Sequence, residues 1–96
     1  MSFDYEAWID EKIGVPVVWT KTAWGKLLSR EISKVDVKEC ILFGEKRSAI
    51  QTPTGVKVTK EMKVIDLQFE ALIVVYVETK THYKIISNHL RRKKRR

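Results

Sequence analysis

The sequence predicts an α+β fold in which N-terminal helices pack on one face of an antiparallel β-meander. Two observations predict this class. Residues 3–44 carry apolar residues at helical spacing between cap signals, whereas from residue 47 onward the apolar residues recur at strand spacing. Residues 71–77 are apolar at every position, as expected of a central strand that is buried on both faces. The length of 96 residues suits one domain, which we expect to span residues 1–90, before a basic tail at residues 91–96.

A helix and a short strand are predicted at the start of the chain. Residues 3–13 form the helix, with Asp4 as its N-cap and Gly14 as the residue that ends it. Residues 15–19 are β-branched or aromatic except for Pro16, and a proline confines a strand to the start or the edge of a sheet. We therefore expect a short edge strand here.

Two further helices are predicted to meet at a corner. The first is capped by Thr20 or Thr22, and the second begins at Ser33, which forms a capping box with Asp36. Gly44 ends the second helix. The first helix carries three apolar residues on one face, which we expect to be its core side: Trp24, Leu27 and Leu28.

The rest of the chain is predicted to form the meander. Its turn signals are Pro53-Thr54-Gly55 and the polar run at residues 78–81. The strand that pairs back after this run places Tyr83 and Ile85 on one face. The predicted strands are 48–52, 56–58, 62–65, 71–77 and 82–87.

Positive charge is concentrated at the C-terminus. The formal net charge is +7, from 19 basic and 12 acidic residues, and the last six residues are all basic. Without these six the chain has 13 basic residues against 12 acidic ones, so its body is almost neutral. Six adjacent cations cannot be buried, and they bind phosphate groups by releasing counterions. The predicted nucleic-acid-binding residues are Arg91, Arg92, Lys93, Lys94, Arg95 and Arg96.

Cysteine and histidine usage predicts no metal site and no cofactor. Cys40 is the only cysteine, so the chain can form neither an internal disulfide nor a cysteine-based zinc site, and a reducing compartment is expected. His82 and His89 lie seven residues apart without an acidic or histidine partner at ligand spacing. No apolar run approaches the roughly 20 residues of a membrane span, and the N-terminus lacks a signal pattern, so we expect no membrane contact and a cytoplasmic location.

A set of short motifs runs through the corner and the second of its helices: Thr22-Ala23, Lys26, Arg30-Glu31-Ile32-Ser33, Asp36-Val37 and Gly44. This set resembles the opening of a small family within the RelE/ParE-like toxin superfamily, where the pattern is His-Ala, Arg, Arg-Gly-Ile-Ser, Asp-Val and Gly. With "LIVVYV" and "YKIIS", which resemble the closing strands of that family, the resemblance covers roughly residues 19–88. Two positions depart from the pattern, because Thr22 replaces His and Glu31 replaces Gly. The resemblance implies a RelE-like fold; relatives cleave messenger RNA at the ribosome or poison DNA gyrase.

Cleavage of RNA without a metal sets a requirement for the candidate catalytic residues. The reaction needs a base for the 2′-OH, a cation at the scissile phosphate and an acid for the leaving oxygen. We predict Lys26 and Arg30 as the cations and Tyr83 as a proton donor. The alternative for the two cations is a solvated helix face, paired with Asp36 or Glu39. Further candidate donors are Tyr76, His82 and His89.

Aromatic residues admit two interpretations. Exposed rings stack on nucleotide bases, whereas buried rings fill the core, and we expect the second in so small a domain. Tyr76 is expected in the core with its hydroxyl reaching an edge. The tryptophans concerned are Trp8, Trp19 and Trp24.

The function predicted from these features is binding of nucleic acid, RNA rather than DNA, by a RelE-like protein that is either a toxin-type ribonuclease or an inactive descendant of one. The alternative is a non-catalytic interaction module, for example a small viral or plasmid protein that docks on a host factor. A toxin would have an antitoxin partner, whose strand or helix would cover the sheet or the basic groove. For the basic tail itself, the alternatives are a solubility tail and a nuclear address. A homodimer is left open.

Overall fold

A computed structural model describes residues 3–29 and 32–94 of the chain. These residues form three helices and one five-stranded sheet, so the predicted α+β class is confirmed. In chain order the elements are α1 (Tyr5–Ile13), β1 (Val17–Trp19), α2 (Lys21–Leu28), α3 (Lys34–Phe43), β2 (Glu45–Gln51), β3 (Val56–Lys63), β4 (Phe69–Glu78) and β5 (Tyr83–Arg92). None of the helices in the described ranges is long and apolar enough to cross a membrane.

The sheet is mixed rather than wholly antiparallel. Its strand order is β1-β5-β4-β3-β2, and strands β2 to β5 form the predicted antiparallel meander with β4 at the centre. The predicted edge strand is β1, but it pairs with β5 in parallel, from Val17 opposite Tyr83 to Trp19 opposite Ile85. Local patterns mark a strand but not the direction of a neighbour that is distant in sequence, so the sequence did not indicate this parallel pair.

The helix caps lie where the sequence predicts them. Asp4 caps α1 through a 3.0 Å hydrogen bond from a backbone amide, and Gly14 ends α1 in the left-handed region, at a φ of 82°. Thr20 caps α2. Ser33 and Asp36 exchange two hydrogen bonds of 3.1 Å, which form the predicted capping box of α3. These caps fix where each helix starts and hence how the chain enters the sheet.

The core lies between the sheet and helices α2 and α3. Alternate residues of β4, at positions 72, 74 and 76, point toward the helices and are buried. The sulfur of Cys40 on α3 lies 3.7 Å from the carbonyl oxygen of Leu72, which brings α3 onto β4. Burial raises the pKa of the Cys40 thiol to about 12, so this thiol is a neutral packing group. On β5, Asn88 donates from Nδ2 to the carbonyl oxygen of Ala23 at 3.4 Å, which brings α2 onto the sheet.

The opposite face of the sheet carries no helix within the described residues, and we call it the uncovered face. Ile73, Val75 and Val77 of β4 point to this face and are only half-buried. The prediction that β4 is buried on both faces was therefore wrong. Long side chains from the neighbouring strands, such as Arg91, shield the apolar residues here in place of a second helical layer.

The packing face of α2 also differs from the prediction. Ala23 is fully buried and Leu27 is partly buried against the core, whereas Trp24 and Leu28 are exposed. The backbone of α2 is hydrogen-bonded to Asn88 of β5 at Ala23, whose small side chain is fully buried. The larger apolar side chains of this helix therefore turn outward.

Every strand has other bounds than predicted, and β5 extends five residues beyond its predicted end, to Arg92. β2 begins at Glu45, before the predicted start at residue 48. β3 is one continuous strand, because its pairing with β4 runs from Val56 through Lys63 and joins the two predicted pieces. Residues 64–68 form the β3–β4 loop, so Ile65 lies outside the strand that was predicted to contain it. Charged residues interrupt the apolar pattern of β3 without interrupting its hydrogen bonds.

A buried lysine fastens α1 to α3. Lys38 Nζ lies 2.7 Å from Glu6 Oε2 and 2.8 Å from Asp10 Oδ1, which are four residues apart on one face of α1. Burial alone would lower the pKa of Lys38, but the hydrogen bonds to Asp10 and Glu6 outweigh burial and leave this pKa raised. The N-terminal helix is therefore held by charge as well as by apolar contact.

Candidate nucleic-acid interface

The first residues of the basic tail belong to the sheet. β5 continues through Arg92, so the predicted domain boundary after residue 90 falls inside a strand. Arg92 lies opposite Phe69, and the Lys93 amide donates to the carbonyl oxygen of Gln68 at 2.9 Å. The cationic segment is thus fixed against β4 and its preceding loop. The predicted binding residues that lie outside the described ranges are Arg95 and Arg96.

Arg91 is occupied by carboxylates. Its Nη1 and Nη2 donate to the two carboxylate oxygens of Glu61 at 2.8 and 3.1 Å, and its Nε donates to Glu70 at 2.8 Å. Arg47 of β2 donates to the same Glu61 at 3.1 Å. Hydrogen bonds from Arg91 and Arg47 hold the pKa of Glu61 below its usual range. The network crosses the uncovered face from β2 to β5, so Arg91 joins strands rather than offering an open charge.

Three other cations of this segment are exposed: Arg92, Lys93 and Lys94. The Arg92 guanidinium lies 5.4 Å from the centre of the Phe69 ring, in cation–π contact. Lys93 lies near Asp66, whose pKa is lowered first by hydrogen bonds from two backbone amides and then by the charge of Lys93. The salt bridges among the described residues involve none of the three. They remain available to a phosphate group.

Helix α2 brings Lys26 toward the same end of the sheet. Thr20 donates from Oγ1 to the Ile86 carbonyl oxygen at 3.2 Å, and one turn later Ala23 accepts from Asn88, so α2 and β5 run side by side in one direction. Lys26 lies three residues, or about 4.5 Å, further along the helix. It is exposed, and α2 contains no acidic residue. Lys26 thus lies toward the end at which β5 finishes.

The structure does not bring Lys26 and Tyr83, two of the three predicted catalytic residues, to one place. Tyr83 is the first residue of β5 and lies five residues, or roughly 17 Å, before Asn88 along the strand. Lys26 lies beyond Asn88 in the opposite direction. Arg30, the second predicted cation, lies outside the described residues. The pocket that Tyr83 lines does not include Lys26.

Three of the four predicted proton donors, Tyr76, His82 and Tyr83, lie together at the other end of the sheet. The ring centres of Tyr83 and Tyr76 are 5.3 Å apart, and the buried Tyr76 donates from its hydroxyl to Glu78 at 3.0 Å, as expected for a core tyrosine that reaches an edge. Burial raises the pKa of both tyrosines, and Glu78 raises it further. These phenols therefore stay protonated and can donate hydrogen bonds. The adjacent ring of His82 lies 3.2 and 2.9 Å from two threonine hydroxyls.

The prediction that the tryptophans fill the core was wrong for Trp8 and Trp24, whereas Trp19 packs against the core. Trp24 is 40% exposed on α2, with the Lys34 ammonium 4.8 Å from its ring centre. Trp19 borders the core and packs edge-on against Trp24, with ring centres 6.4 Å apart. Trp8 stacks in a row of three aromatic rings on the surface of α1 and α3. An exposed ring beside a cation is an arrangement on which a nucleotide base stacks.

One functional residue was not predicted from the sequence. Glu61 was not a candidate, because its role depends on a register that brings Arg47 and Arg91 to it from other strands. His89, a predicted donor, projects from β5 on the uncovered face, opposite Ile73.

Across residues 3–29 and 32–94, no group of three or more ligating side chains could hold a metal ion.

Comparison with known proteins identifies no family. The chain matches no family model, no curated protein and no solved structure. The resemblance to RelE/ParE-like toxins therefore depends on the motif residues, of which Arg30 and Glu31 lie outside the described ranges. The candidate interface rests on the geometry of this chain.

Proposed function

We propose that this chain binds single-stranded nucleic acid, RNA rather than DNA, through a surface that we call the basic end, made of Lys26, Arg92, Lys93 and Lys94. The observation that carries the proposal is that α2 and β5 run side by side and carry these exposed cations toward the same end of the molecule. No carboxylate within the described ranges forms a salt bridge with them. Phosphate groups bind such cations by displacing counterions.

An exposed aromatic side chain near these cations favours a single strand over a duplex. Trp24 is 40% exposed on the helix that carries Lys26. Single-strand binding combines cations that follow the backbone with rings on which successive bases stack, whereas a duplex hides the faces of its bases. RNA is proposed over DNA because of the resemblance to RelE/ParE-like proteins, some of which act on messenger RNA.

Arg91 is not part of the basic end. A phosphate would have to displace Glu61 and Glu70, which accept three hydrogen bonds from this guanidinium. We therefore propose that Arg91 stabilises the sheet, although it was predicted from the sequence to bind nucleic acid.

The proposal concerns binding and not cleavage. A base, a cation and an acid must meet within hydrogen-bond distance of one phosphate, and Lys26 and Tyr83 lie toward opposite ends of β5. Membership of the RelE/ParE-like superfamily and a cytoplasmic location belong to the same proposal. The motif between Thr22 and Gly44 supports the first, and an RNA partner and a buried, unpaired Cys40 support the second.

Fluorescence anisotropy with a short labelled oligouridine tests the proposal across a range of salt concentrations. The triple variant Arg92→Ala, Lys93→Ala, Lys94→Ala should bind more weakly. Its log-log salt slope should also be shallower by about 2, since each phosphate contact of a single strand contributes about 0.7. Lys26→Ala should change the slope by a further 0.7 or so.

A matched triple variant controls for net charge. Lys57, Lys80 and Lys84 are exposed lysines away from the basic end, and their replacement by alanine removes the same total charge. The slope of this control should equal that of the wild type. An equal loss in both triple variants, or wild-type binding without salt dependence, would overturn the proposal. Equal competition by oligodeoxythymidine would contradict the preference for RNA.

A further inference from the structure

A groove lined by both apolar and charged residues lies between the start of α3 and the ends of β3, β4 and β5. Its volume is about 470 Å³, and no described part of the chain fills it. A monomer that leaves such a groove open exposes apolar surface to water, which is unfavourable and is typical of an interaction site. The apolar part of the lining includes Ile32, Met62, Phe69, Leu72 and Leu90, together with the first residues of the β3–β4 loop.

The β3–β4 loop holds two apolar side chains in solvent beside this groove. Ile65 and Leu67 are almost completely exposed. The loop itself is well held, because Asp66 accepts hydrogen bonds through Oδ1 from two backbone amides at 2.7 and 3.1 Å. These hydrogen bonds hold the loop backbone between Asp66 and Phe69, which lowers the cost of ordering this segment on docking.

We propose that two copies of this chain form a two-fold symmetric dimer in which Ile65 and Leu67 of each copy enter the groove of the other. An interface of this symmetry uses the same surface on both copies, so that surface must contain a projection and a matching recess. The loop is the projection and the groove is the recess, and they are contiguous because Ile65 itself lines the groove. A partner of different sequence would need only the recess, so the adjacent projection favours a second copy.

The rim of the groove carries charges of both signs. The rim carries Lys63 and three carboxylates, those of Asp36, Glu39 and Asp66. A two-fold axis at this surface allows the lysine of each copy to face a carboxylate of the other. A rim of a single sign would instead repel itself across such an axis.

Dimerisation and RNA binding respond to salt in opposite directions. Two copies with a formal charge of +7 each repel one another, and salt screens this repulsion. Salt also screens the two lysine–carboxylate pairs, but exposed pairs contribute little, and apolar burial stays in place. The dimer should therefore strengthen as salt is added, whereas binding to RNA should weaken. This difference makes the dimer testable without RNA and independent of the proposed function.

Sedimentation velocity over a range of protein concentrations, at low and high salt, tests the dimer. The wild type should exchange between monomer and dimer, with more dimer at high salt. Ile65→Asp should raise the dissociation constant at least about ten-fold, as the loss of a buried anchor does. Ile65 is exposed in the monomer, so the variant should keep the wild-type circular dichroism spectrum, and Leu67→Asp should repeat the result.

Ile50→Asp is the matched control, because Ile50 is an exposed isoleucine on β2 away from the groove and the charge change is the same. It should leave the dissociation constant unchanged. A wild type that stays monomeric at every concentration and salt, or an equal effect of Ile50→Asp and Ile65→Asp, would overturn the proposal.

Discussion

Arg91 of β5 donates two hydrogen bonds to Glu61 of β3 across the intervening strand β4. The guanidinium can cross because the residue opposite Arg91 on β4 is Ala71, which presents only a methyl group and is almost completely buried. Arg47 extends the contact to β2. Four strands are thereby linked on the uncovered face, where the described part of the chain supplies no helix.

Glu61 makes the stability of the fold depend on pH. Hydrogen bonds from Arg91 and Arg47 lower its pKa in the folded state. A carboxyl group whose pKa is lower in the folded state stabilises the fold at pH values above its unfolded pKa, which is about 4.3 for Glu. This stabilisation is lost as the pH falls through the folded pKa. Thermal melts should show the melting temperature falling below about pH 5, and Glu61→Gln should flatten that part of the curve.

Asp66 has a lowered pKa as well and contributes in the same pH range, so the informative quantity is the difference between variant and wild type. Glu11→Gln is the control, since Glu11 is exposed and forms no salt bridge among the described residues. If both variants flatten the curve equally, the Glu61 network does not determine the acid sensitivity.

Arg91 and Arg92 should separate stability from binding. Arg91→Ala should lower the melting temperature by a few degrees, because Glu61 and Glu70 lose their shared partner, with little change in RNA affinity. Arg92→Ala should do the reverse, with a weaker salt slope and an unchanged melting temperature. Thermal melts and anisotropy on the two single variants check this. Equal effects on both measurements would show that the two arginines do not divide the roles.

Lys38 should be needed for the attachment of α1. Lys38→Ala should lower the free energy of unfolding by about 1–2 kcal/mol, less than for a fully buried pair, because Glu6 and Asp10 remain partly exposed and recover water. Lys38→Met keeps the apolar stem and isolates the loss of charge. Urea denaturation measures both variants. Lys46→Ala, at an exposed position on β2, should be neutral, and an equal loss there would contradict the assignment.

Two glycine-to-alanine variants should change stability in opposite directions. Gly14 has a φ of 82°, where an alanine is strained, so Gly14→Ala should cost about 1 kcal/mol. Gly25 lies within α2 with open space around its Cα, so Gly25→Ala should stabilise by about 0.5–1 kcal/mol. Urea denaturation of the pair checks the signs. Destabilisation by Gly25→Ala would mean that α2 needs its glycine for another reason.

Features set by near neighbours in sequence were predictable, and those set by distant partners were not. The caps at Asp4 and Ser33 and the central position of β4 follow from local chemistry and apolar pattern. The packing face of α2 could not be predicted, because it depends on the close approach of Ala23 to Asn88, 65 residues away. The apolar pattern of the sequence predicted instead that Trp24 faces the core.

The same distinction applies to the candidate site. The C-terminal cations are visible in the sequence as a run, but the partners of Arg91 lie 21 and 30 residues earlier on two different strands. Only the register of β3, β4 and β5 shows which cation is neutralised and which are open. Likewise, the separation of Lys26 from Tyr83 follows from the direction of α2 along β5, which local spacing does not encode.

Because β5 ends at Arg92, a deletion of residues 91–96 would shorten the sheet as well as remove charge. Such a truncated protein would lose the hydrogen bonds from Arg91 to Glu61 and expose Ala71. Weaker RNA binding by this protein could then result from partial unfolding. A cut after Lys93 preserves the strand and its last backbone hydrogen bond to Gln68. Deletion series and C-terminal fusions should therefore start beyond that residue.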